Sequence, residues 1–180
     1  GNESGQLNTA GSSNIFIGSE TGQENRGGNK NIFLGIGSGQ KNLNGHKNIF
    51  IGGLAGQNNR QGKENVFIGN DAGRTNTSGS NNVFLGTQTG EKNTLGNENV
   101  FIGKSVGRLN DSGSNNVFLG TRSGENNSLG SDNVFLGHET GQCNTNGSYN
   151  VFLGHQAGQC NSTGDYNIFL GYRTGRRNTG

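Results

Sequence analysis

The sequence predicts an all-β fold, a parallel β-solenoid with one 17-residue coil per repeat and about ten coils in all. Three observations carry this expectation. An Asn recurs at Asn14, Asn31, Asn48, Asn65, Asn82, Asn99, Asn116, Asn133, Asn150 and Asn167, always 17 residues apart and without insertion; such a period marks a repeat architecture. With that Asn as position 1, 32 of the 36 glycines fall at positions 5, 9 and 15. All ten phenylalanines fall at position 3. The stretch from Asn82 to Glu98, NVFLGTQTGEKNTLGNE, shows the pattern in full.

Composition alone points elsewhere. A chain with 26% hydrophobic residues and 36 glycines in 180 ordinarily reads as disordered. The period overrules that, because a flexible linker has no reason to fix its glycines or to keep Phe in phase. Glycine takes φ > 0 without steric cost, so three phased glycines predict three turns per coil. Stacking supplies the burial that a thin coil lacks, each layer covering its neighbours. The net charge of +2 implies no nucleic-acid partner. No run of about 18 apolar residues predicts membrane insertion.

Taken in order, residues 1–13 form the back of a partial coil, and a coil starts at each Asn from Asn14 to Asn167, the last one cut at position 14, giving a single array over residues 1–180. The triplets from Ile15-Phe16-Ile17 to Ile168-Phe169-Leu170 are β-branched or aromatic and bounded by Asn and Gly, which predicts short strands. Positions 10 to 13 predict a second, weaker strand or extended edge. At about 4.8 Å per layer the stack is a rod of roughly 50 Å. A second Asn at position 12 predicts an amide ladder through Asn25, Asn42, Asn59, Asn76, Asn93, Asn110, Asn127, Asn144 and Asn161, beside a similar ladder at position 1. Position 8 is small, as in Thr21, Ser38, Ala55 and Ala72. Position 10 alternates in sign through Arg74, Glu91, Arg108 and Glu125, as cross-strand pairing on a solvated face requires. Lys30, His46, Lys47 and Lys63 cluster at positions 16 and 17, where a solvated face is the expected reading and a ligand-binding patch the alternative. Both ends stop within a coil and show no cap, so the chain is expected to be a segment of a longer protein.

Side chains alternate along a strand, so positions 2 and 4 face one way and Phe the other. One coil interior accepts one of these faces. The aliphatic columns drift among Ile, Val and Leu, whereas Phe16, Phe33, Phe50, Phe67, Phe84, Phe101, Phe118, Phe135, Phe152 and Phe169 never change. On that ground the Phe column is assigned to a subunit interface. Left outside a monomer it would be a stripe of roughly 500 Å², at the limit that soluble monomers expose. The reverse assignment, with Phe inside and the aliphatics outside, also produces an oligomer.

With these columns in place, NVFLGTQTGEKNTLGNE is similar to the NTAIGxxALxxNTTGxxN and NTFIGxxAGxxNTTGxxN repeats of bacterial and phage tail-fibre-like surface proteins. It also resembles, at a longer period, the head repeats of trimeric autotransporter adhesins. The resemblance spans essentially the whole chain. It implies a left-handed β-roll, assembled as a homotrimer and lying outside the cell, on a cell surface or in a virion fibre. The chain departs from the usual pattern in holding Phe at position 3, where Ala is common, and in carrying none of the self-cleaving chaperone that often ends such proteins.

Chemistry has little support in the sequence. Cys143 and Cys160 share position 11 of adjacent coils, and His138 and His155 share position 6, a Cys₂His₂ composition that makes them candidate metal ligands. The two coils are near copies, so shared descent explains the pairs as well. A vertical Cys143–Cys160 disulfide fits the Cα spacing of one layer, but parallel side chains hold the Cβ atoms farther apart than a disulfide prefers. No nucleophile–base arrangement suggests an enzyme, and no cofactor is implied. Four Asp are too few for a calcium-bound solenoid. Ice binding asks for a flat Thr array, and position 13 instead runs Arg26, Leu43, Arg60, Thr77, Thr94, Asp111. The expected function is a non-catalytic structural rod, the stalk or head of an extracellular fibre or adhesin, whose partner is itself. The alternative is a head that binds a host-surface glycan or matrix, for which Tyr149, Tyr166 and Tyr172 are the available aromatics.

Overall fold

The computed structural model describes residues 1–178. Its strands are β1 (Ile15–Ile17), β2 (Ile32–Leu34), β3 (Ile49–Ile51), β4 (Val66–Ile68), β5 (Val83–Leu85), β6 (Val100–Ile102), β7 (Val117–Leu119), β8 (Val134–Leu136), β9 (Val151–Leu153) and β10 (Ile168–Leu170). They form one ten-stranded sheet in sequence order, every neighbour parallel. The register is the repeat itself: Ile32 pairs with Ile49, Phe84 with Phe101, Leu136 with Leu153. The protein is thus an all-β parallel solenoid of 17-residue coils. Among the described residues no helix is long and apolar enough to cross a membrane.

Backbone bonds join the layers around the whole coil and not only at the strands. Val100 N donates to Asn116 O (2.8 Å), Gly107 N to Ser123 O (3.0 Å) and Leu109 N to Glu125 O (2.8 Å). In the other direction, Gly103 N donates to Leu85 O (2.8 Å) and Ser105 N to Thr87 O (3.0 Å). The second strand expected at positions 10 to 13 is absent among the described residues. There the chain is curled into a turn, because the position-12 amide bonds back within its own coil, as Asn93 N does to Gly90 O (3.0 Å).

The assignment of Phe to a subunit interface is corrected by the structure. Phe33, Phe50, Phe67, Phe84, Phe101, Phe118, Phe135 and Phe152 have 0% exposure within the single chain. Phe16, in the first full coil, and Phe169, in the incomplete last one, are partly buried against them. The rings stack along the rod with centroids 4.6–5.2 Å apart. Their invariance reflects this fit: one ring fills one layer and touches the rings above and below, so a smaller or branched side chain interrupts the stack. The position-8 column lines the same interior, with Ala55, Ala72, Val106 and Ala157 fully buried. The aliphatic columns face outward, from half-buried Val83 and Leu85 to Ile15 and Ile17, which are 51% and 56% exposed.

The remainder of the interior is amide. Asn110 Nδ2 donates to Asn93 Oδ1 (2.7 Å) and to Gly113 O (2.9 Å), and its own Oδ1 accepts from Asn127 Nδ2 (2.8 Å). The position-1 ladder runs alongside: Asn99 Nδ2 donates to Asn82 Oδ1 (3.1 Å) and also to Gly113 O (2.9 Å). Both ladders are fully buried through the central coils and every amide has partners, so this polar core meets the condition under which burying amides is tolerated.

The glycines serve two ends. At position 9 the backbone is left-handed, as in Gly107 (φ 52°), and a Cβ there would collide with the Phe101 ring. At position 15 no left-handed φ occurs. A Cβ on Gly113 would instead meet Asn110 Oδ1 at 2.5 Å and Asn127 Nδ2 at 2.8 Å. Steric room for the position-12 ladder and for the backbone carbonyl of the next layer's Gly130, rather than a turn, requires that glycine. Left-handed conformation also appears without glycine, at position 7 (Gln88, φ 57°) and position 17 (Glu98, φ 57°).

Candidate functional site

Four surface features stand out, and each follows from a column. The first is the outward sheet face, where the aliphatic positions 2 and 4 of ten strands form a continuous strip. Ten layers at about 4.8 Å and a width of about 10 Å make it roughly 450 Å², comparable to the largest apolar patch of a soluble monomer.

The second is a charge ladder. Arg74 Nη2 lies 3.0 Å from Glu91 Oε1, Arg108 reaches Glu91 at 3.8 Å and Glu125 at 3.4 Å, and Arg122 reaches Glu139 at 3.6 Å. Glu139 also accepts hydrogen bonds from Gln156 Nε2 (2.8 Å) and Gln159 Nε2 (3.1 Å). The Gln156 bond, and to a lesser degree the neighbouring His and Arg side chains, holds the Glu139 carboxyl below its usual range. These charges satisfy one another along the rod.

The third lies toward the C-terminal coils. His138 stacks on His155 (centroids 5.1 Å) and His155 on Tyr172 (5.3 Å). Cys143 is half-buried and Cys160 exposed, both with free thiols. The structure does not unite these candidate ligands: among the described residues no group of three or more His, Cys, Asp or Glu side chains is placed to hold a metal ion. Positions 6 and 11 belong to different stretches of the coil, so stacking joins His to His and Cys to Cys but does not join the pairs. Burial, and then a hydrogen bond with Cys160, push the Cys143 thiol up. We expect iodoacetamide at pH 8 to modify Cys160 before Cys143, as followed by mass spectrometry of digests. Equal rates would contradict the difference in their surroundings. Tyr149 and Tyr166 stack at 4.9 Å with an interplanar angle of 3°. Each ring turns one face to the other, so the pair forms one more ladder of the stack, with Tyr166 75% exposed.

The fourth is the basic cleft of the early coils, of about 480 Å³, lined by Ser12, Asn29, Lys30, His46, Lys47 and Lys63 together with Glu64. The sequence placed these cations at neighbouring positions. What it also contained, and the column reading passed over, is a run of acceptor side chains at position 16: Ser12, Asn29, His46, then Ser80, Asn97, Ser114, Ser131, Ser148 and Asp165. Each bonds to the backbone of the preceding layer, apart from Ser12 in the first partial coil.

Compared with protein-family models, with curated proteins and with solved structures, the chain finds no match.

Proposed function

We propose that the chain is a structural rod, the shaft or head of an extracellular fibre or surface adhesin, and that it assembles as a non-catalytic homotrimer of left-handed coils. The observation that carries this reading is the division of labour between the two strand faces. Each chain completes its own core with Phe and amides, which leaves the aliphatic strip unpartnered along the full length of the sheet. A strip that runs parallel to the rod axis suits side-by-side association of identical rods in register. Burial of a Val, Leu or Ile contributes about 1.5–3 kcal/mol when complete. Two such columns over ten layers, already half-covered, still exceed the cost of association. Three copies close around one axis and leave no strip exposed, and the resemblance to tail-fibre and adhesin repeats supports both the number and the extracellular setting.

The test is sedimentation equilibrium on the unmutated chain and on the variant Leu85→Glu, Ile102→Glu, Leu119→Glu. These positions point outward, so the variant retains the β circular dichroism of the parent. The expected result is about three chain masses for the parent and one for the variant. A parent that sediments as a monomer overturns the assembly.

A further inference from the structure

We propose that the basic cleft of the early coils is a binding site for an oxyanion, the carboxylate, sulfate or phosphate group of a ligand, and that Lys63 creates it by interrupting a ladder that every neighbouring layer completes. At position 16 the backbone N–H of one layer is taken by the side chain of the next. Ser12 N donates to Asn29 Oδ1 (2.7 Å), Asn29 N to His46 Nδ1 (3.1 Å) and Lys63 N to Ser80 Oγ (3.1 Å). The series continues with Ser80 N to Asn97 Oδ1 (2.9 Å), Asn97 N to Ser114 Oγ (3.0 Å) and on to Ser148 N with Asp165 Oδ1 (2.7 Å). His46 is the exception. The residue above it is Lys63, an ammonium that donates and cannot accept. His46 N has no acceptor among the described residues.

The missing acceptor coincides with unbalanced positive charge. Lys47 Nζ pairs with Glu64 at 2.7 Å, a bond that holds the Glu64 carboxyl below its ordinary range. Among the described residues Lys30 and Lys63 have no carboxylate within 4.0 Å, although both line the same cleft. This is the reverse of the position-10 column, where Arg74 and Arg108 share Glu91. His46 contributes further. Because its Nδ1 accepts from Asn29 N, the ring proton resides on Nε2, a donor on the cleft wall. An oxyanion seated at the gap accepts from His46 N–H where a Ser or Asn oxygen stands in other layers, and is neutralised by Lys63 and Lys30. Backbone N–H groups combined with ammonium charge form the usual chemistry of such sites, and bonds to charged groups are the stronger kind. Every residue that lines the site belongs to one chain.

The experiment is a titration of the ¹⁵N-labelled chain with sodium sulfate and, separately, with sodium acetate, sodium chloride being varied to hold ionic strength constant. The His46 amide reports the gap directly. The expected result is a saturable shift of that resonance with one or both anions, a tetrahedral preference showing as tighter sulfate binding and a planar one as tighter acetate binding. Lys63→Ser restores the acceptor found in Ser80 and Ser114 and removes the charge. It should shift the His46 amide before any anion is added and weaken binding at least about tenfold. Lys30→Gln leaves the gap open and removes one charge, so binding is weaker but the shift remains saturable. A His46 amide that moves no more than that of Asn97, with no difference between the parent and Lys63→Ser, overturns the proposal.

Discussion

Phe101→Ala is expected to destabilise the chain by about 3–5 kcal/mol, read as a fall in the denaturant midpoint. Phe101 is fully buried and stacks between Phe84 and Phe118, each centroid 4.9 Å away. Removing the ring leaves a cavity whose walls are backbone tied by hydrogen bonds to the layers on both sides, so little collapse can fill it. The loss also weakens two inter-coil contacts at once, and in a stack where each layer touches only its neighbours no more distant layer can compensate. The comparison is Leu95→Ala on the surface, 53% exposed, where the change should stay within about 0.5 kcal/mol. A cost below about 1 kcal/mol for Phe101→Ala would show that the ring does not fill the interior.

Gly113→Ala is expected to be comparably damaging although it adds one methyl group. The new Cβ would collide with the backbone carbonyl of Gly130 and stand 2.5 Å from Asn110 Oδ1 and 2.8 Å from Asn127 Nδ2. Overpacking typically costs about 1–3 kcal/mol. Here the atoms that must give way also hold the Asn110–Asn127 bond and the two bonds that Asn99 and Asn110 donate to Gly113 O. Buried polar groups left unpaired add about 1–3 kcal/mol each. Gly53→Ala is the control, since its backbone is not left-handed and its Cβ would meet nothing nearer than Asn70 Oδ1 at 3.3 Å. Thermal melts of the two variants should separate widely; equal melting temperatures would refute the steric role assigned to position 15.

These two sites show which parts of the molecule were legible in the sequence. The period gave the register outright, because equal spacing of Ile15, Ile32 and Ile49 leaves one way to pair them. The direction in which Phe points was also present but was read from the wrong signal. Constancy of a column does not distinguish an interior from an interface, since both demand fit. Parity does distinguish them. Positions 1 and 3 are two residues apart on a strand and share a face, so an Asn ladder at Asn99 that must be shielded from water takes Phe101 inside with it. Position 15 was less accessible: its glycine answers to the position-12 amides and to the glycine carbonyl of the next layer, a constraint that exists only after the coils have stacked. The gap above His46 lay between these cases, visible as Lys63, the one position-16 residue whose side chain cannot accept, but meaningful only once that column is known to bond vertically.

The amide ladders carry one more consequence. In both, the later residue donates to the earlier one: Asn42 Nδ2 to Asn25 Oδ1, Asn76 to Asn59, and at position 1 Asn82 to Asn65 and Asn133 to Asn116. The backbone bonds between layers run both ways and largely cancel, as Val100 N to Asn116 O against Gly103 N to Leu85 O. The amide dipoles do not cancel. They add along the axis as peptide dipoles add along a helix, so the rod has an electrical sense. A layer cut at any height offers N–H toward lower residue numbers and carbonyl oxygen toward higher ones. Two such surfaces join only head to tail, which makes the stack a one-way structure despite its identical steps.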